Sequence, residues 1–200
     1  MPSPAALKYK TASNTARTLR ETATDPRLQP ISRSQTQVYY HSALAAFVAV
    51  WDAYINELVR NFFAATANPL DPKFHAVHSI ARDAAERALE RFNTPNAENT
   101  RNLLIQNTGY DPIGDWIWSA RSLSGLAVRQ KLNEILRVRH SFAHGFAIPA
   151  LSWTQTATGK VRLTAKAIDD VDVFFTHLVN VTDLGMKQHI ETSYSLVLPW

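Results

Sequence analysis

The sequence contains no cysteine, which excludes a disulfide framework, a thiolate metal site and a cysteine nucleophile. Its six glycines form neither a phosphate-cradling loop nor a G-x-S-x-G elbow, so P-loop and α/β-hydrolase chemistry lack their usual signatures. The longest apolar run, Ala43 to Trp51, ends at Asp52, far short of the roughly 20 residues that cross a bilayer as a helix. The N-terminus has basic residues but no apolar signal-peptide core. These absences lead to the expectation of a cytoplasmic chain with no membrane association. No internal repeat, low-complexity tract or second domain is visible.

What is present fits one globular unit. With 200 residues, 46% of them hydrophobic and 19% charged, the chain can bury a single core without covalent staples. The net charge of +4 is unevenly placed: residues 1–36 hold six basic and two acidic side chains, so the remainder is neutral. Mixed Ser, Thr, Pro and scattered charge without a sustained period predict that 1–36 is a flexible basic extension, solvated rather than packed, ahead of a domain at 37–200.

Helical periodicity begins at about Gln37. Leu44, Phe47, Val48, Trp51, Ile55, Leu58, Val59 and Phe62 follow one helix face, and Asn68-Pro69 reads as the stop. Asp71-Pro72 reads as a cap and first position of a second helix reaching about Phe92. A shorter helix is predicted over Ala97 to Gln106, followed by turns at Asn107-Thr108-Gly109 and Asp111-Pro112-Ile113-Gly114. Ser122 is the candidate cap of a fourth helix that ends at Gly145, and a last helix spans about Ala167 to Thr192. Between those two, Leu151 to Gln155 and Lys160 to Thr164 flank a Thr156-Ala157-Thr158-Gly159 turn and predict a small hairpin. The expected fold is therefore an all-α bundle of four to five helices with a small β-hairpin before the last helix.

The chemistry-bearing segment is Arg137-Val138-Arg139-His140-Ser141-Phe142-Ala143-His144-Gly145. At 100° per residue, His140 and His144 lie about 40° apart and Arg137 falls within about 20° of His144. Arg139 sits about 140° from His144, so its long side chain must reach around to join it. Histidine titrates near neutrality and serves as acid or base, and a planar guanidinium matches phosphate oxygens. Together these groups suit cleavage of RNA by its own 2′-hydroxyl, which needs a base, an acid and a cation. An Arg- and His-rich helix end also complements the helix dipole, so composition alone leaves a purely capping role open.

Arg139-His140-Ser141-Phe142-Ala143-His144 resembles the R-x(4–6)-H motif of the HEPN superfamily, the higher eukaryote and prokaryote nucleotide-binding domains. His140 matches the polar residue that commonly follows the motif arginine, and the Ala143-His144-Gly145 ending resembles the RiboL-PSP-HEPN group. The likeness extends over roughly Gln37 to Thr192. It implies a metal-independent endoribonuclease, often the toxin of a toxin–antitoxin or defence system, acting on RNA as a homodimer whose two motifs face each other, with an antitoxin protein as partner. It implies Arg139 as stabiliser of the phosphorane, His144 as acid or base, and His140 as orienter of the phosphate or assistant in proton transfer. Arg137 also satisfies the longer spacing; Arg139 is preferred because a polar residue follows it. An acidic residue on the first long helix often accompanies the motif, and Asp52 and Glu57 are the candidates. The other reading is a non-catalytic HEPN dimer that binds a nucleotide or a protein.

Neither a cofactor nor a metal is expected. His75 and His78 form H-x-x-H without accompanying carboxylates, and arginine neighbours of His140 and His144 oppose a cation. His41, His177 and His189 stand isolated in the sequence. Trp116 and Trp118 could stack bases, but core or dimer packing is the preferred reading.

Overall fold

A computed structural model describes residues 1–68 and 71–200. Among these, six α-helices follow one another: α1 (Pro4–Thr22), α2 (Arg33–Thr66), α3 (Pro72–Arg91), α4 (Ala97–Thr108), α5 (Gly125–Ala143) and α6 (Ala165–Tyr194). The all-α expectation holds, with one helix more than the four to five expected.

α2 is the axis of the bundle. It opens on a capping box in which Ser32 accepts the Gln35 N–H and the Gln35 side chain accepts the Ser32 N–H, so it starts one turn before the predicted Gln37. Leu44, Trp51, Ile55, Leu58 and Val59 are fully buried along it. By length and composition α2 is apolar enough to cross a membrane, but this apolar face is covered by its neighbours in the bundle. Asn68 lies just beyond its end, and Pro69 of the expected stop lies outside the described residues.

Pairings between helices set their directions. Gln37 exchanges two hydrogen bonds with the backbone of Leu163, the Tyr54 hydroxyl donates to the Val179 carbonyl at 3.2 Å, and the Phe62 and Tyr194 rings meet edge to face, so α2 and α6 run parallel. α3 returns along the end of α2: Thr66 contacts His78 at 3.1 Å and Arg60 pairs with Glu86. The Trp51 indole donates to the Pro95 carbonyl at 3.1 Å, holding the α3–α4 turn against the middle of α2.

Residues 1–36 are not the loosely held extension their composition predicts. Ser3 caps α1 by accepting the Ala6 N–H, and Pro4 occupies the first helical turn. Ala5, Ala6, Tyr9 and Ala16 are buried. The Ser3 backbone and hydroxyl both donate to the buried Asp183 carboxylate of α6, and Arg17 makes a two-pronged bond to Asp172. Two of the six basic side chains assigned to a solvated tail are therefore paired with α6, since Arg20 also meets Asp169.

Two further expectations are corrected. The hairpin before the last helix is absent: the Thr154 and Gln155 N–H groups both turn back to the Leu151 carbonyl, which consumes the first arm in a turn and leaves one isolated bridge, Gln155 to Val161. The α5 cap is Ser124, which accepts the Ala127 N–H, whereas Ser122 holds a left-handed conformation two residues earlier. The predicted cap Asp71 stands where expected, and Gly109 of the predicted turn is the C-terminal cap of α4, which runs on through Thr108 to reach it.

Candidate active site

α5 is anchored by Val128, Leu132, Ile135 and Val138, all fully buried. Its last turn ends on Gly145, with φ +70°, a conformation glycine adopts without the steric cost a side chain carries. The Phe146 N–H donates to the Ser141 carbonyl at 2.8 Å and the Gly145 N–H to Phe142 at 3.2 Å, the paired bonds of a Schellman ending. The motif therefore sits where the helix leaves its core contacts, and Arg137, Arg139, His140 and His144 are all exposed.

The structure brings these side chains together. The His140 and His144 rings lie 4.2 Å apart, centroid to centroid. Arg137, Arg139 and His140 line one cavity of about 370 Å³, so Arg139 shares a wall with His140. His144, the C-terminal cap of α5, stands outside the cavity wall and joins it through His140. Both candidate arginines face the same space.

The acidic partner separates clearly. Asp52 lines this cavity, whereas Glu57 pairs with Lys8 of α1 at 2.6 Å. Burial raises the Asp52 pKa above the ordinary carboxylate value, and the Arg139 guanidinium partly offsets that. Asp52 is the one acidic residue among the cavity's described lining residues. Asn96, the N-terminal cap of α4, also lines the wall, so the positive end of that helix borders the cavity. Cations and a helix N-terminus against one burdened carboxylate make the cavity suited to an anion.

Three features were not legible from the motif. Asn93 and Asn133 enter the cavity wall from the α3–α4 turn and from α5, places that only the fold joins. His41 of α2 is buried and stacks flat on Phe142, inside the motif. Phe142 and Phe146 leave apolar surface exposed beside the histidines.

The remaining aromatic and histidine candidates have structural partners. Trp116 is fully buried and its indole donates to the Thr182 hydroxyl at 2.9 Å. Trp118 stacks on His177 at 4.5 Å, with Arg121 over its ring. His189 contacts the Thr108 carbonyl at 2.9 Å. Among the described residues no group of three or more His, Asp or Glu is gathered for a metal.

Set beside known families, the chain matches the RiboL-PSP-HEPN profile over residues 13–183. That span begins inside α1 and ends inside α6, so it includes about half of the N-terminal helix that the sequence pattern had set apart. No curated protein and no solved structure matches the chain.

Proposed function

The chain belongs to the RiboL-PSP-HEPN family, and from that premise we propose that it is a metal-independent endoribonuclease whose catalytic residues are Arg139, His140 and His144. The observation that carries this reading is the contact of the His140 and His144 rings at the rim of a cavity that Arg139 lines. Two imidazoles and a guanidinium supply all the roles the reaction requires.

In the proposed step the 2′-oxygen attacks the adjacent phosphorus as one imidazole takes the hydroxyl proton. The bond from phosphorus to the 5′-oxygen breaks, and a protonated imidazole gives that oxygen its proton. Arg139 pairs with the phosphoryl oxygens, whose charge grows in the transition state. In this reading the Asp52 charge attracts the Arg139 guanidinium and so favours its place at the cavity. The products are a 2′,3′-cyclic phosphate and a free 5′-hydroxyl.

We further propose a homodimer in which two exposed motifs face each other, covering Phe142 and Phe146, and a toxin role in the cytoplasm restrained by an antitoxin protein. The surface position of the motif favours this, because a single protomer leaves the histidines open to water. Purified protein incubated with RNA in excess chelator tests the activity: the reading expects cleavage that His144→Ala abolishes without unfolding. Arg139→Lys is expected to fail as well, since a point charge does not reproduce the fork. RNA or nucleotide binding without cleavage would instead support a non-catalytic dimer module.

A further inference from the structure

The cavity beside the motif carries groups that the cleavage step does not use. Asn133 accepts the Ala97 N–H through Oδ1 at 2.9 Å, which fixes the orientation of its amide. Asn93 accepts the Thr94 hydroxyl through Oδ1 at 3.2 Å. Both side chains are exposed and line the cavity. Among the described residues neither Nδ2 donates to a protein acceptor, so each amide offers its N–H groups to whatever enters.

Those donors share the cavity with apolar side chains. Val48, Pro95 and Leu136 contribute to the same wall and are buried as residues. Arg137, Arg139 and His140 line the same cavity. Apolar contact for a ring, N–H donors at its edge and cations for a phosphate together complement a nucleotide. Donors also discriminate among bases. Uracil and guanine present an exocyclic carbonyl on the edge where cytosine and adenine present an amino group, and an N–H facing an amino group leaves both unpaired.

We infer that this cavity is a base pocket, that it seats the nucleobase next to the phosphate held by Arg139, and that Asn93 and Asn133 select a carbonyl-bearing base, uracil or guanine. The position of the phosphate rests on the ribonuclease reading, whereas the base preference is measurable without any cleavage.

The test titrates the 3′-monophosphates of uridine, guanosine, cytidine and adenosine into the full-length protein by calorimetry. The same titration is run on Asn133→Asp and Asn93→Ala, and RNA cleavage is assayed in parallel. Asn133→Asp keeps an oxygen for the Ala97 N–H and so preserves that bond to the first turn of α4, but replaces the free donor with an acceptor. Its added charge weakens all four nucleotides, so the ratio between them is the readout. The expected result is binding of the uridine and guanosine nucleotides roughly tenfold tighter than the other two, with the ratio falling toward one in both variants. Equal affinity for all four, or a ratio unchanged in both variants, overturns the base pocket. Selective binding without cleavage leaves the pocket standing and removes the ribonuclease reading. Cleavage without selective binding removes the pocket alone.

Discussion

His41 of α2 lies flat against Phe142 of α5, with ring centroids 4.4 Å apart and planes 7° from parallel. His41 is 6% exposed, and its Nδ1 is buried without a hydrogen-bond partner among the described residues. Phe142 lies between His140 and His144 in the sequence. A neutral ring on the long axial helix thus braces the turn that carries the candidate catalytic histidines.

Burial lowers the His41 pKa from its ordinary value of 6.5. The unfolded chain therefore takes up a proton at this residue before the folded one does, and stability present above pH 6.5 is lost as pH falls through the folded value. His41→Phe keeps a ring on Phe142 and removes the proton. Denaturation midpoints measured from about pH 7.5 to about pH 5 should fall more steeply for the native protein than for His41→Phe, and parallel slopes would contradict the assignment. His41→Ala, which deletes the ring contact, should cost on the order of 1 kcal/mol even at the upper end of that range.

Asp52 should show opposite effects on stability and activity. Its pKa is raised chiefly by burial, so at neutral pH the folded state carries a disfavoured charge that a neutral amide at this position lacks. Asp52→Asn is expected to raise the melting temperature slightly. It is also expected to slow RNA cleavage by roughly ten- to a hundredfold through a misplaced Arg139. Thermal melts and single-turnover rates on the same preparation check both. A variant equally active, or less stable, would mean that Asp52 does not act through the arginine.

The first helix should be indispensable to folding. Asp183→Ala leaves the Ser3 N–H and hydroxyl without their acceptor at a buried junction, and a loss of about 2 kcal/mol is expected in urea denaturation. Lys8→Ala, which removes only the exposed cation of the ion pair with Glu57, serves as the surface control on the same helix and should change stability far less. If Asp183→Ala costs no more than Lys8→Ala, α1 is not held as described.

Why α1 escapes a reading of the sequence alone is physical. Its buried residues are mostly alanine and serine, with Tyr9 the single large one, so its periodicity is faint, and its arginines find their acidic partners, Asp169 and Asp172, on distant α6. α2 and α6 are legible because many of their buried positions are Leu, Ile, Val and Phe at helical spacing. At the site, the motif histidines are four residues apart on one helix, a local relation that sequence encodes directly. The choice of Asp52 over Glu57 stays open in the sequence because it depends on which neighbour each meets, and Lys8 of the unexpected helix takes Glu57. The Asn93 and Asn133 wall is out of reach for the same reason: forty residues separate them, and their meeting is a tertiary event.

The proposed chemistry requires that the RNA strand be cut by its own 2′-hydroxyl at the Arg139, His140 and His144 cluster. The sharpest measurement compares an RNA oligonucleotide with the same strand carrying 2′-deoxyribose immediately 5′ to the mapped cut, in excess chelator, with products identified by mass. A 2′,3′-cyclic phosphate from the ribose strand and no cut at the deoxy position is the expected result. Cleavage at the deoxy position, or full cleavage of the ribose strand by His144→Ala, would contradict it.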